Sequence, residues 1–278
     1  MQGSAANKQY RKPTASIILA ALVCALSLHA QNRENLTEEE MRNFLLHAKV
    51  VGSRQSGKGI TSPYRLTLND GRLTHDASFQ SIDESRPYKK FDSGRTEINF
   101  RDSYKYNIAA YELAILLGLG DMMPVTVERK WKGNAGSLSW WLSAKMDEET
   151  RVAKGIRPPD AEAWNKQMHK MRVFSQLVYD TDRNLGNVLI SEDWHLWMID
   201  FSRAFRLYTT LENPKNLVRC DRLLLQKLRQ LDSAELHQKT KNWLNQLEIK
   251  GVMERRDKIV ALFENLIAQK GEEAVLYD

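Results

Sequence analysis

Cysteine is scarce in this chain of 278 residues: there are two, Cys24 and Cys220. Two cannot build a disulfide scaffold, and neither belongs to a Cys/His cluster with zinc-ligand spacing. His-Glu-x-x-His and Gly-x-Ser-x-Gly do not occur, which removes the common zinc-protease and α/β-hydrolase signatures. The sequence has no internal repeat, no low-complexity segment and no apolar run of the ~20 residues that a membrane-spanning helix needs. It also has little excess charge of one sign. The formal net charge is +6, and three of the basic residues (Lys8, Arg11, Lys12) lie within the first 30, where there is no acid before Glu34. Beyond residue 30 there remain 38 basic and 35 acidic residues, a net +3, which gives no electrostatic case for nucleic acid. What is present is ordinary: 42% hydrophobic and 27% charged residues, a globular composition for one large domain or two small ones.

The three early basic residues lead into an apolar run, Ala15 to Leu28, that ends at Leu28-His29-Ala30. Its fourteen residues suit a secretory signal better than a span. Residues 1–30 therefore read as a signal peptide cleaved after Ala30, which makes the protein an exported one, periplasmic or secreted. An uncleaved membrane anchor, or a lipoprotein through Cys24, is the alternative, and membrane attachment is expected only through this segment. The mature chain keeps one cysteine, Cys220, read as a small buried hydrophobe in a helix.

Thr37 followed by Glu38, Glu39 and Glu40 starts an amphipathic helix within 31–48. Gly52, Gly57 and Gly59 punctuate a glycine-rich loop. Leu66 and Leu68 alternate with Arg65 and Thr67, and Asn69-Asp70-Gly71 turns the chain into a return strand of about 72–82. Residues 83–99, polar and interrupted by Pro87 and Gly94, read as a long loop. A helix over 102–117 is capped by Asp102 or Ser103 and stopped by Gly118. Strands follow near 125–128 and 138–142. Helices are expected at 160–179, 215–231, 233–247 and 252–270, with short apolar strands at 188–190 and 196–199. This divides the mature chain into a β-rich lobe over 49–146 with one prominent helix and a helical lobe over 147–278. The fold class is α+β and two-lobed, with a cleft in which a ligand is expected.

The chemistry concentrates in Asp182-Arg183-Asn184-Leu185-Gly186-Asn187 and, after a short hairpin, Asp200-Phe201-Ser202. Pairing of the two apolar strands puts Asn187 and Asp200 at the open end of the hairpin, near Asp182. Phosphoryl transfer needs such a set: one carboxylate to orient the attacking hydroxyl, and an Asn and an Asp to hold Mg²⁺ or Mn²⁺ on the phosphates. The pattern resembles the core of the protein-kinase-like superfamily. It looks less like ordinary eukaryotic protein kinases than like atypical branches: the secretory-pathway Golgi casein kinases, HipA-type bacterial kinases and phosphatidylinositol 3-/4-kinases. Tyr106 to Leu113, then Leu117-Gly118 and Pro124 to Arg129, resemble the helix-C region of the Golgi casein kinases, and also a group of exported bacterial proteins.

The resemblance implies an ATP-dependent phosphotransferase with a divalent metal, acting on a hydroxyl of a protein, glycan or lipid. Asp182 would be the catalytic Asp, and Asn187 and Asp200 the metal ligands. Gly52, Gly57, Lys58 and Gly59 would cover the nucleotide phosphates. Glu112 would be the helix-C acid that positions a phosphate-binding lysine. The strand that should carry this lysine reads Ala77-Ser78-Phe79-Gln80, so Gln80 stands in its place. Asn107 stands where the Golgi casein kinases tend to have an acid. Either Lys58 supplies the cation, or nucleotide binding is weak, or the chain is a pseudokinase, a nucleotide-binding or regulatory module without turnover. Arg203 and Arg206, just after Asp200, either bind an acidic or phosphorylated group or pair with surface acids.

Overall fold

Leu66 and Leu68 are fully buried while their neighbours Arg65 and Thr67 are not, so one face of this segment looks into a core. In the computed structural model it is the second strand of an antiparallel sheet of five, in the order β1-β2-β3-β7-β6. The structure describes residues 36–55, 63–92, 94 and 96–278. Residues 1–30, read above as a signal peptide, and Gly57, Lys58 and Gly59 lie outside these residues. The first residues, 36–41, form a unit separate from Arg42–Asp278. They hold the start of α1 (Glu38–His47), where Thr37 and Glu40 form a reciprocal capping box.

The sheet comprises β1 (Lys49–Gln55), β2 (Tyr64–Asn69), β3 (Thr74–Gln80), β6 (Thr126–Trp131) and β7 (Asn134–Trp140). The β2–β3 turn is set as the sequence indicates. Gly71 has φ 92°, and the Asp70 carboxylate accepts the backbone N–H groups of Arg72 and Leu73, which hold it below its ordinary pKa. Gly136 of β7 passes so close to β3 that an added Cβ would lie 2.5 Å from the Gln80 carbonyl oxygen. α2 (Tyr104–Leu116) lies against β6 and β7. It is buried on nearly all sides and so lacks the single apolar stripe expected of a surface helix.

Residues 83–99 are not a loop. β4 (Asp83–Lys90) and β5 (Thr96–Ser103) pair as a separate antiparallel hairpin between β3 and α2. Its polarity hid it: β4 is almost wholly solvent-facing, and the buried positions of β5 include Glu97, Asp102 and Ser103.

Past Trp140 the chain enters the helical part. β8 (Met146–Asp147), β9 (Val188–Ile190) and β10 (Leu196–Met198) form a small sheet, with β9 and β10 the expected hairpin. α3 (Glu148–Ala153) precedes α4 (Ala161–Val178), whose N-cap Asp160 accepts from the N–H groups of Glu162 and Ala163. β11 (Cys220–Asp221), α5 (Arg222–Gln230), α6 (Ser233–Thr240), α7 (Gln246–Lys270), α8 (Glu272–Val275) and β12 (Leu276–Tyr277) complete it. Cys220 sits in β11 rather than in a helix, and burial pushes its thiol up to about 12. α7 begins earlier than the 252 read from the sequence and runs through Gly251. A Cβ there would stand 3.0 Å from Nη1 of the fully buried Arg255, so this glycine makes room for a guanidinium and does not end a helix. Among the described residues no helix is long and apolar enough to cross a membrane.

Candidate active site

α4 ends at Tyr179, which takes the left-handed conformation (φ 48°) as its C-cap. The chain then turns back, and the Asp180 side chain is completely buried. Its carboxylate accepts from the Asp182 N–H at 3.0 Å and from Arg183 at 2.6 and 2.8 Å. Arg183 in turn donates to the backbone oxygens of Asn187 (2.9 Å), Ile199 (2.8 Å) and Asp200 (3.3 Å), and its guanidinium lies 4.1 Å from the centre of the Phe201 ring. One buried Asp–Arg pair thus ties together the loop of Asp182, the start of β9 and the end of β10. The planar five-donor fork of arginine can serve all these acceptors at once, as a lysine could not. Asp180 and Arg183 are the residues that the motif reading missed; their signal was only adjacency to Asp182.

The site residues assemble on this frame. Asn187 donates its side-chain N–H to the Asp182 carbonyl at 3.1 Å, which leaves its amide oxygen as an acceptor. Asp200 follows β10 in the left-handed conformation (φ 54°), which Asp tolerates better than most residues. Its carboxylate accepts from the Ser202 N–H at 3.3 Å. Asp102, at the end of β5, bonds to Ser202 and has a buried, unpartnered Oδ1. Burial first, and then the charge of Asp200, raise the Asp102 pKa. The Asp182 pKa is raised too, by burial first; Arg203 opposes this, and Asp180 and Asp200 add to it. Carboxylates crowded in this way favour a nearby cation. The donors of Asn187 and Asp200 are hard oxygens that fit Mg²⁺ or Mn²⁺. Among the described residues no group of three or more His, Cys, Asp or Glu side chains converges as a metal cage.

The side on which the resemblance implies a nucleotide departs from the expected charges. Gln80, buried at the end of β3, accepts from the Asn107 side-chain amide of α2 at 2.5 Å. The same amide donates to Ser137 Oγ at 3.3 Å, and Asn107 Oδ1 accepts from the Phe201 N–H at 2.7 Å. A neutral pair therefore links β3, α2 and the segment after Asp200. Glu112 is not part of it. Five residues beyond Asn107, it is turned by about 140° around the helix. It accepts from Arg42 of α1 at 2.8 Å and joins the two helices. Gly52 lies in β1 at a register shift, with Thr67 opposite. Arg203 and Arg206 are largely buried and both pair with the buried Glu97; Arg203 also reaches the half-exposed Asp182.

No family model matches this sequence, and no curated protein matches it. Solved structures do. A Fam20 protein of hydra, determined with sugar, aligns over 87% of this chain and 93% of its own at a TM-score of 0.61 and 15% identity. The crystal structure of the Golgi casein kinase aligns over 86% of this chain and 78% of its own, with a TM-score of 0.60 and 11% identity. At these identities the likeness is one of fold. The chain has the atypical protein-kinase-like fold: a small β-rich lobe with one prominent helix, and a larger helical lobe. Within that fold it is similar to the Fam20 protein and the Golgi casein kinase just named.

Proposed function

We propose that the protein is an ATP-dependent phosphotransferase that acts on a hydroxyl of a protein, glycan or lipid with Mg²⁺ or Mn²⁺. The observation that carries this reading is the single frame of Asp180 and Arg183 that gathers Asp182, Asn187 and Asp200. Asp182, half-exposed, accepts the hydrogen bond of the acceptor hydroxyl and orients it for attack. Asn187 and Asp200 hold the metal, which neutralises charge on the phosphates when bound. Gly52, Gly57, Lys58 and Gly59 cover the nucleotide, and Lys58 supplies the cation that position 80 lacks. Export through residues 1–30 places this activity outside the cytoplasm.

A second reading is favoured by one observation: the Gln80–Asn107 pair is neutral. A chain with this pair and no substitute cation is a nucleotide-binding module without turnover.

Metal-dependent nucleotide binding is tested by thermal shift with ATP or ADP in the presence of Mn²⁺. Asp200→Asn preserves shape and left-handed tolerance but removes the charge. The expected result is loss of the nucleotide shift with an unchanged midpoint for the free protein. An equal shift in both proteins would contradict the metal role of Asp200.

A further inference from the structure

The β4–β5 hairpin brings a charge where charges are costly. Glu97 is 6% exposed. Burial of a carboxylate is tolerated when it is paired and hydrogen-bonded, and here it is held twice. Oε2 accepts from Arg203 Nη2 at 2.6 Å, and Oε1 pairs with Arg206. The Arg203 guanidinium also sits by two rings of the hairpin region, 5.0 Å from the centre of Phe91 and 5.4 Å from that of Phe100. The other end of the fork, Nη1, lies 3.4 Å from Asp182 Oδ1. The backbone of Arg203 is docked on the same loop: its carbonyl accepts from Thr181 N at 3.4 Å and from Thr181 Oγ1 at 3.1 Å. One guanidinium thus spans two carboxylates, a buried one on the hairpin and a half-exposed one at the site.

We propose that Glu97 is a positioning residue, which holds Arg203 so that the guanidinium fixes the Asp182 carboxylate toward its acceptor hydroxyl. The hairpin is then a working part of the active site. Glu97 touches no substrate; it acts through Arg203. Without it, a long side chain with many rotamers has no fixed edge to present to Asp182.

Two measurements test this, and only the second rests on the phosphoryl-transfer reading. The first is a double-mutant cycle on urea unfolding midpoints, Arg203→Met against Asp182→Asn, run with Glu97 and again with Glu97→Gln. The expected result is non-additivity with Glu97 present and additivity with Glu97→Gln. Coupling that is equal in both backgrounds, or absent from both, would overturn the proposal. The second is steady-state kinetics. Glu97→Gln should lower kcat about tenfold or more, as misplacement of a catalytic group does, and leave KM for ATP within about twofold. Glu97→Asp should recover part of the loss, and Glu97→Gln should add nothing on top of Asp182→Asn. An unchanged kcat, or kcat and KM worsening together, would count against it. Should Glu97→Gln fail to fold, Arg203→Lys, which keeps the charge and loses the fork, carries the kinetic measurement with the same expected loss of kcat, and Glu97→Asp replaces Glu97→Gln in the unfolding cycle, where weakened coupling is expected. A wild-type protein without turnover sinks the phosphotransferase reading and leaves the unfolding cycle to decide the role of Glu97.

Discussion

At the scale of single residues, the pair Gln80 and Asn107 says most about this protein. Both are buried, and each satisfies the other without charge. Replacing one amide by an ion leaves a buried charge unpaired, which costs about 3–5 kcal/mol. Gln80→Lys alone should therefore lower the urea unfolding midpoint. Gln80→Lys with Asn107→Glu should recover most of the loss and tighten Mn²⁺–ATP binding in titration calorimetry. A double variant no more stable than Gln80→Lys would mean that these two positions do not form the pair seen here. The sequence shows Gln80 as the departure from the family pattern but points to Glu112 as its helical partner. Spacing along one helix does not tell which buried face meets β3, because α2 is buried nearly all round. Only the packing of α2 on the sheet decides that Asn107 meets Gln80 while Glu112 meets Arg42.

At the scale of elements, the legible parts are those whose pattern follows their own period. The β2–β3 hairpin, α4, and the β9–β10 pair follow alternation or helical spacing with clear turn and cap residues. The β4–β5 hairpin was not legible, since its buried positions include acidic side chains and Pro87 lies in β4. Its two-stranded form packs little apolar surface, and paired charges take the place of a hydrophobic stripe. The start of α7 was hidden for a different reason, that a glycine inside a helix ordinarily weakens it by about 1 kcal/mol relative to Ala. Here Gly251 makes room for Arg255, which donates to the carbonyls of Leu177 at 2.7 Å and Arg206 at 2.9 Å and also to that of Tyr208. Burial lowers the Arg255 pKa to about 10. Gly251→Ala should destabilise the protein in chemical denaturation despite the better helix propensity. In an Arg255→Met background the same change should stabilise by about 1 kcal/mol. A stabilising effect in both backgrounds would show that the guanidinium does not need the space.

At the scale of the whole molecule, the two-lobed architecture follows from the order of elements: a sheet with one buried helix, then a helical region entered through β8. That order was readable, and so was the closeness of Asp182, Asn187 and Asp200, because they lie on one short stretch. The buried support was not, because Glu97 and Asn107 come from distant parts of the chain and reach the site only on folding. The central claim is that this site transfers a phosphoryl group. The most direct test is consumption of ATP by the purified protein with saturating Mn²⁺ and mixed hydroxyl acceptors, run beside Asp182→Asn. The account predicts turnover in the wild type that falls at least about 100-fold in Asp182→Asn, while the Mn²⁺–ADP thermal shift is kept. Equal turnover in the two proteins, or tight Mn²⁺–ATP binding with no turnover in either, would contradict it.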